Sequence, residues 1–123
     1  MTASGSFEVD LTPQEDAGFP AGRMLIRKTY SGGMGGSGIG QMISKRIEDG
    51  AAIYYAIEEF SGTLDGKKGS FTLTHNGFMN AESQSLEISI LEGSGKGELQ
   101  NISGTMTISQ LDGGHQYALS YSF

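Results

Sequence analysis

Two residues in the middle of the chain could do acid–base chemistry together, Glu58 and His75. From Phe71 to Met79 the sequence alternates, with Phe71, Leu73, His75, Gly77 and Met79 on one side and Thr72, Thr74, Asn76 and Phe78 on the other, so the first set faces an interior. Asp65-Gly66-Lys67-Lys68 reads as a turn. Pairing Leu64 with Gly69 sets Gly62 against Phe71, Phe60 against Leu73 and Glu58 against His75, all on one face. An acid beside an imidazole, away from water, can shuttle a proton: the acid orients the ring and the ring acts as base or acid. Lys28 and Gln41, on the inner face of an earlier hairpin, are candidates to polarise an oxygen. Tyr54, Phe60, Phe71, Tyr117 and Tyr121 are candidate ligand-binding surface. Each of these has a plainer role. The aromatic residues are first of all core, Glu58 and His75 can be a satisfied pair that fixes register, and Lys28 can pack its stem while its amine reaches a rim. His115, at a strand start beside a turn, reads as a rim residue.

Short alternating segments punctuated by twenty glycines and two prolines must position these side chains. Eight strands are expected, at Gly5–Leu11, Arg23–Ser31, Ser37–Glu48, Ala51–Leu64, Gly69–Met79, Ser83–Glu92, Ser103–Gln110 and His115–Phe123. Most joints are hairpin-sized; the exceptions are Thr12–Gly22 and Gly93–Ile102. The turn Leu111-Asp112-Gly113-Gly114 pairs Gln110 with His115, which sets Ile108 against Tyr117, Met106 against Leu119 and Gly104 against Tyr121. Apolar residues meet apolar residues, while Ser103, Thr105, Thr107 and Ser109 fall on the wet face. The same operation at Gly32–Gly35 pairs Tyr30 with Ser37, Lys28 with Ile39, Ile26 with Gln41 and Met24 with Ile43. Sequential antiparallel strands with one apolar face each close most economically into a barrel, which removes exposed edges. The expected fold is therefore all-β, a single eight-stranded antiparallel β-barrel spanning residues 1–123. An eight-stranded barrel is either filled by side chains or holds one small ligand.

Composition narrows the function classes. At 123 residues with a net charge of −6, the chain suits one modest core and presents no phosphate-binding footprint for nucleic acid and no basic surface for an anionic membrane. It has no cysteine and only two histidines, which excludes disulfides and a Cys/His zinc site, and no cofactor or metal is expected. The start lacks a signal peptide and no run is long enough to span a membrane, so a cytoplasmic location is expected. Gly33-Met34-Gly35-Gly36-Ser37-Gly38 satisfies G-x-G-x-x-G. The strand and hairpin pattern after Ala51 leaves no length for a dinucleotide fold, so these glycines read as turn and bend residues. Gly93-Ser94-Gly95-Lys96-Gly97 lacks the Gly-Lys-Ser/Thr of a phosphate loop and reads as an ordinary loop.

The series Tyr54-x-x-x-Glu58-x-Phe60-x-Gly62-x-Leu64-x-Gly66-x-x-Gly69-Ser70-Phe71-x-Leu73-x-His75-x-Gly77, then Gly93-Ser94-Gly95-x-Gly97-Glu98-Leu99 and Tyr117-x-Leu119-x-Tyr121, resembles a bacterial family of small uncharacterised domains. Members of that family are similar in fold to allene oxide cyclase, an eight-stranded antiparallel barrel related in shape to the lipocalin-like barrels. The resemblance implies the same barrel and carries over Glu58 and His75 as motif positions. It implies no activity, and the catalytic residues of the cyclase find no counterpart here. Three functions are then open: a barrel that binds a small, largely apolar molecule in its interior; a small isomerase, cyclase or hydrolase using the Glu58–His75 pair; or a structural barrel whose outer face forms a homo-oligomer.

Overall fold

The computed structural model describes residues 1–48, 50–111 and 113–123 and contains strands but no helix among them. The strands are β1 (Thr2–Pro13), β2 (Gly22–Gly32), β3 (Met34–Arg46), β4 (Ala52–Leu64), β5 (Lys67–Met79), β6 (Gln84–Ile90), β7 (Lys96–Gly97), β8 (Ser103–Leu111) and β9 (Gly114–Ser122). The eight long strands pair antiparallel in the order β4-β3-β2-β1-β9-β8-β6-β5, and β5 pairs back to β4, so the sheet closes. The two-residue β7 is an addition to the expected set: it pairs with Gly69 and Ser70 and belongs to the segment expected to be loop. Gly33–Gly38 runs into β3, paired with β2 and β4, which excludes the dinucleotide reading. Among the described residues no helix is long and apolar enough to cross a membrane.

The three hairpins differ in how closely they keep the expected register. In β8–β9 the pairs Gln110–His115, Ile108–Tyr117, Met106–Leu119 and Gly104–Tyr121 all form. The turn residue Asp112 lies outside the described residues. In β4–β5 the connection is tighter than expected. Leu64 pairs with Lys67, and the two-residue turn Asp65-Gly66 takes positive φ at both positions (48° and 87°), the primed geometry that matches strand twist. Glu58 therefore pairs with Leu73, and His75 with Ala56. The slip is two residues along the strand, so both side chains keep the inner face. In β2–β3 the slip is one residue: Lys28 pairs with Gly38, Ile26 with Gly40 and Met24 with Met42. A one-residue slip reverses every side chain of β3, so Ile39, Gln41 and Ile43 face outward, and Gly36, Gly38 and Gly40 face the barrel.

The interior is packed. Phe60, Phe71, Leu73, Tyr30, Tyr117 and Leu119 fill its middle, with Tyr30 edge-on to both Phe60 and Tyr117. One end is sealed by Met34, Leu64, Leu99 and Ile102, the last two delivered by the 91–102 segment. The other end is a half-open mouth, where Met24, Met42, Tyr54 and Met79 are only partly buried.

Candidate functional site

Between the aromatic core and the mouth, one carboxylate gathers three side chains from two other strands. Glu58 of β4 is fully buried. Its Oε1 accepts from the Lys28 Nζ of β2 at 3.0 Å and lies 2.9 Å from the His75 Nε2 of β5; its Oε2 accepts from the Tyr30 hydroxyl at 2.5 Å. Strand alternation puts Lys28 and Tyr30 on the same face of β2, and the closed β3–β4–β5 ladder carries Glu58 and His75 to it. Space for the carboxylate comes from the neighbouring strand. A Cβ at Gly38 would collide with Glu58 Oε2, so only glycine fits at that inner position. The ammonium of Lys28 also sits over the Phe7 ring, 4.7 Å from its centroid, and Phe7 stacks on His115.

The electrostatics fix the protonation of the acid. Burial alone would raise the Glu58 pKa, but the hydrogen bond to His75, the Lys28 charge and the hydrogen bonds from Tyr30 and Lys28 outweigh it and lower it to about 2. Glu58 is thus an anion and can only accept hydrogen bonds. Burial, with the Glu58 charge beside it, pushes the Tyr30 hydroxyl far up, so Tyr30 remains a neutral donor. Since an anionic Glu58 only accepts, His75 is assigned a proton on Nε2, and in the neutral ring that leaves Nδ1 with a lone pair. Nδ1 has no hydrogen-bond partner among the described residues, and no buried side-chain nitrogen or oxygen among them is unsatisfied, so Nδ1 touches solvent. Lys28 and His75 are each 8% exposed, whereas Glu58 beneath them is sealed. The arrangement presents a cationic donor and a basic nitrogen, side by side on one anchor, towards the mouth.

The other expected site residues separate by depth. Tyr54 stands at the mouth, its ring across Gly77, and with Met42 and Met79 it lines a cleft of about 340 Å³; burial raises its pKa. Phe60 and Phe71 lie below Glu58 and are packed without free surface, 0% and 1% exposed, so they fill the interior instead of lining an opening in it. Tyr117 is occupied with structure: its hydroxyl accepts from Met34 N at 2.8 Å and donates to Ser31 O at 2.9 Å, which pins the β2–β3 turn. Tyr121 donates to Asp65 at 2.5 Å at the sealed end, and that bond raises its pKa to about 12. Gln41 is exposed on the outer face, the direct result of the one-residue slip in β2–β3. Sequence reasoning missed Tyr30, whose signal was its place two residues from Lys28 on one face, and Gly38, which leaves no side chain to notice. Among the described residues no group of three or more potential metal ligands occurs.

A family model described as protein of unknown function (DUF3224) matches residues 3–121. The chain belongs to the DUF3224 family. A crystal structure of a DUF3224 protein of unknown function from Shewanella oneidensis MR-1 superposes with a TM-score of 0.91 at 37% identity, covering 100% of this chain and 96% of that one. No curated protein matches the chain. The DUF3224 barrel of this chain thus carries a buried anion holding a cation and a base at one end, and the chemistry open to it is hydrogen bonding to a polar group or transfer of a proton.

Proposed function

We propose that the protein binds a small, largely apolar molecule at the mouth of its barrel, above Glu58, with Lys28 and His75 gripping a polar group on it. Met42, Met79 and Tyr54, which line the cleft at the mouth, and the partly buried Met24 at the same end supply adaptable apolar surface. The observation that carries this reading is the unspent capacity of the pair. Lys28 Nζ gives one hydrogen bond to Glu58 and His75 Nδ1 gives none, although both are almost wholly inside. An amide with an N–H, or a carboxylic acid in its protonated form, offers the matching acceptor and donor. The interior site expected from sequence is moved upward by this reading, because the aromatic core occupies the space below. A closed barrel sealed at one end and half-open at the other is consistent with ligand entry at the open end.

The test is a thermal-shift and calorimetric screen of small apolar acids and amides against the native protein and His75→Gln. A glutamine amide can keep the donor on Glu58 while replacing the basic Nδ1 with a carbonyl oxygen that is non-basic and placed differently, so stability should stay within about 1 kcal/mol, the worth of one hydrogen bond. Binding should fall at least tenfold. Equal binding by both proteins would refute the proposal.

A second reading, proton transfer at a carbon next to a carbonyl, is favoured by one feature, the carboxylate on Nε2 that orients Nδ1 as a base. In it Nδ1 takes a proton from carbon, the Lys28 ammonium hydrogen-bonds the developing enolate oxygen, and the proton returns to a second carbon of the same molecule. It predicts exchange of ligand C–H hydrogen with deuterated water, lost in His75→Gln; binding without exchange leaves the first reading alone standing.

A further inference from the structure

The outer face of β2, β3 and β4 carries side chains that the barrel does not use. The cross-strand registers line them up in three rows: Arg27, Ile39, Glu59; Leu25, Gln41, Ile57; and Arg23, Ile43, Tyr55. Ile39, Ile43, Tyr55 and Ile57 are each 47–65% exposed, and a cleft of about 520 Å³ lies among Leu25, Arg27, Ile39, Gln41, Ile57 and Glu59. Single exposed apolar residues are ordinary, but a contiguous patch across three strands with a polar rim marks an interface. Neither Arg27 nor Glu59 has a salt-bridge partner among the described residues.

We propose that this face docks on the same face of a second copy, about a two-fold axis running along β3. Such an axis places each β3 side chain against its own equivalent and exchanges the flanks, so a β2 residue meets the β4 residue of its own row. Ile39 then meets Ile39, Gln41 meets Gln41 and Ile43 meets Ile43. On the flanks Arg27 meets Glu59 and Leu25 meets Ile57, each twice, and Arg23, whose guanidinium is held by the Asp16 carboxylate at 2.7 Å, lies opposite Tyr55. The first two rows match in chemistry. An axis across the strands through the middle row would instead set Arg27 against Arg23 and Glu59 against Tyr55, so the charges select the axis along β3. Two sheets packed this way lie face to face about 10 Å apart. Stable dimers bury about 800 Å² per partner, so a three-strand face gives a modest interface that dissociates on dilution.

Sedimentation equilibrium of the full chain at about 1–300 µM, the range in which modest interfaces titrate, should show a monomer–dimer equilibrium reaching twice 13.0 kDa. Ile39→Arg sets like charges against each other on the axis and should remain at 13.0 kDa throughout. Arg27→Glu alone should weaken association at least tenfold, and Arg27→Glu with Glu59→Arg should restore it. Far-UV circular dichroism of each variant checks that the barrel is intact. A native protein that stays monomeric, including one whose face serves a different partner, overturns the proposal, as does a dimer that persists in folded Ile39→Arg or a charge swap that fails to restore association. These outcomes do not depend on the mouth.

Discussion

The two ends of the barrel use polar groups in opposite ways. At the sealed end the buried tyrosine hydroxyls are spent on the fold: Tyr117 bridges Met34 and Ser31, Tyr121 holds Asp65, and Met34, Leu64 and Leu99 close over them without exposure. At the mouth a lysine and a histidine converge on a buried anion and still have capacity to spare. A structural role needs satisfied groups and nothing more. Burying an ion pair is also a poor way to gain stability, since well-packed apolar replacements are often neutral or better. The contrast supports the proposal that the mouth, unlike the sealed end, is arranged for something other than holding the barrel together.

The largest effect should come from removing the anchor. Glu58→Leu leaves Lys28, Tyr30 and His75 without their acceptor, and loss of one partner of a buried pair costs about 3–5 kcal/mol by urea denaturation. Replacing the charged set together, with Lys28→Met, Glu58→Leu and His75→Leu, should recover most of that stability while abolishing binding at the mouth. If the triple variant is as unstable as the single one, the contrast between the ends is lost.

Acid should act through the same anchor. The folded-state pKa of Glu58 is lowered to about 2 from an ordinary value of 4.5, so its contribution is complete above pH 4.5 and is lost as the pH falls towards 2. By linkage that is on the order of 3 kcal/mol. Urea denaturation at stepped pH should show a decline in this window for the native protein that Glu58→Gln lacks.

Smaller effects sharpen the contrast. Gly38→Ala drives a methyl into the carboxylate and should cost about 1–3 kcal/mol, with binding weakened because the anchor moves. Tyr121→Phe removes one hydrogen bond at the sealed end and should cost about 1 kcal/mol with mouth binding unchanged. Weakened mouth binding in Tyr121→Phe would show that the ends are not separate.

Legibility followed the side chains. In β8–β9, apolar residues on both strands and a glycine turn left one register that satisfied everything. In β4–β5 the Asp-Gly pair was a stronger turn signal than the four residues read, yet alternation still placed Glu58 and His75 on one face, because an even slip preserves faces. In β2–β3 the inner face of β3 is glycine, so the visible alternation of Ile39, Gln41 and Ile43 described the outside of the barrel. Depth was not legible either. Nothing in periodicity distinguishes Tyr54 at the mouth from Tyr121 at the sealed end, and Tyr30 emerged only once β2 and β4 were brought together.

The central claim, spare capacity at His75, can be measured by nitrogen-15 NMR of its imidazole in the native protein, titrated with small apolar acids and amides. The account predicts a protonated Nε2 and a bare Nδ1 in the free protein, and an Nδ1 signal that shifts as ligand is added. A proton on Nδ1, or an Nδ1 signal that stays fixed while ligand binds elsewhere, would contradict it.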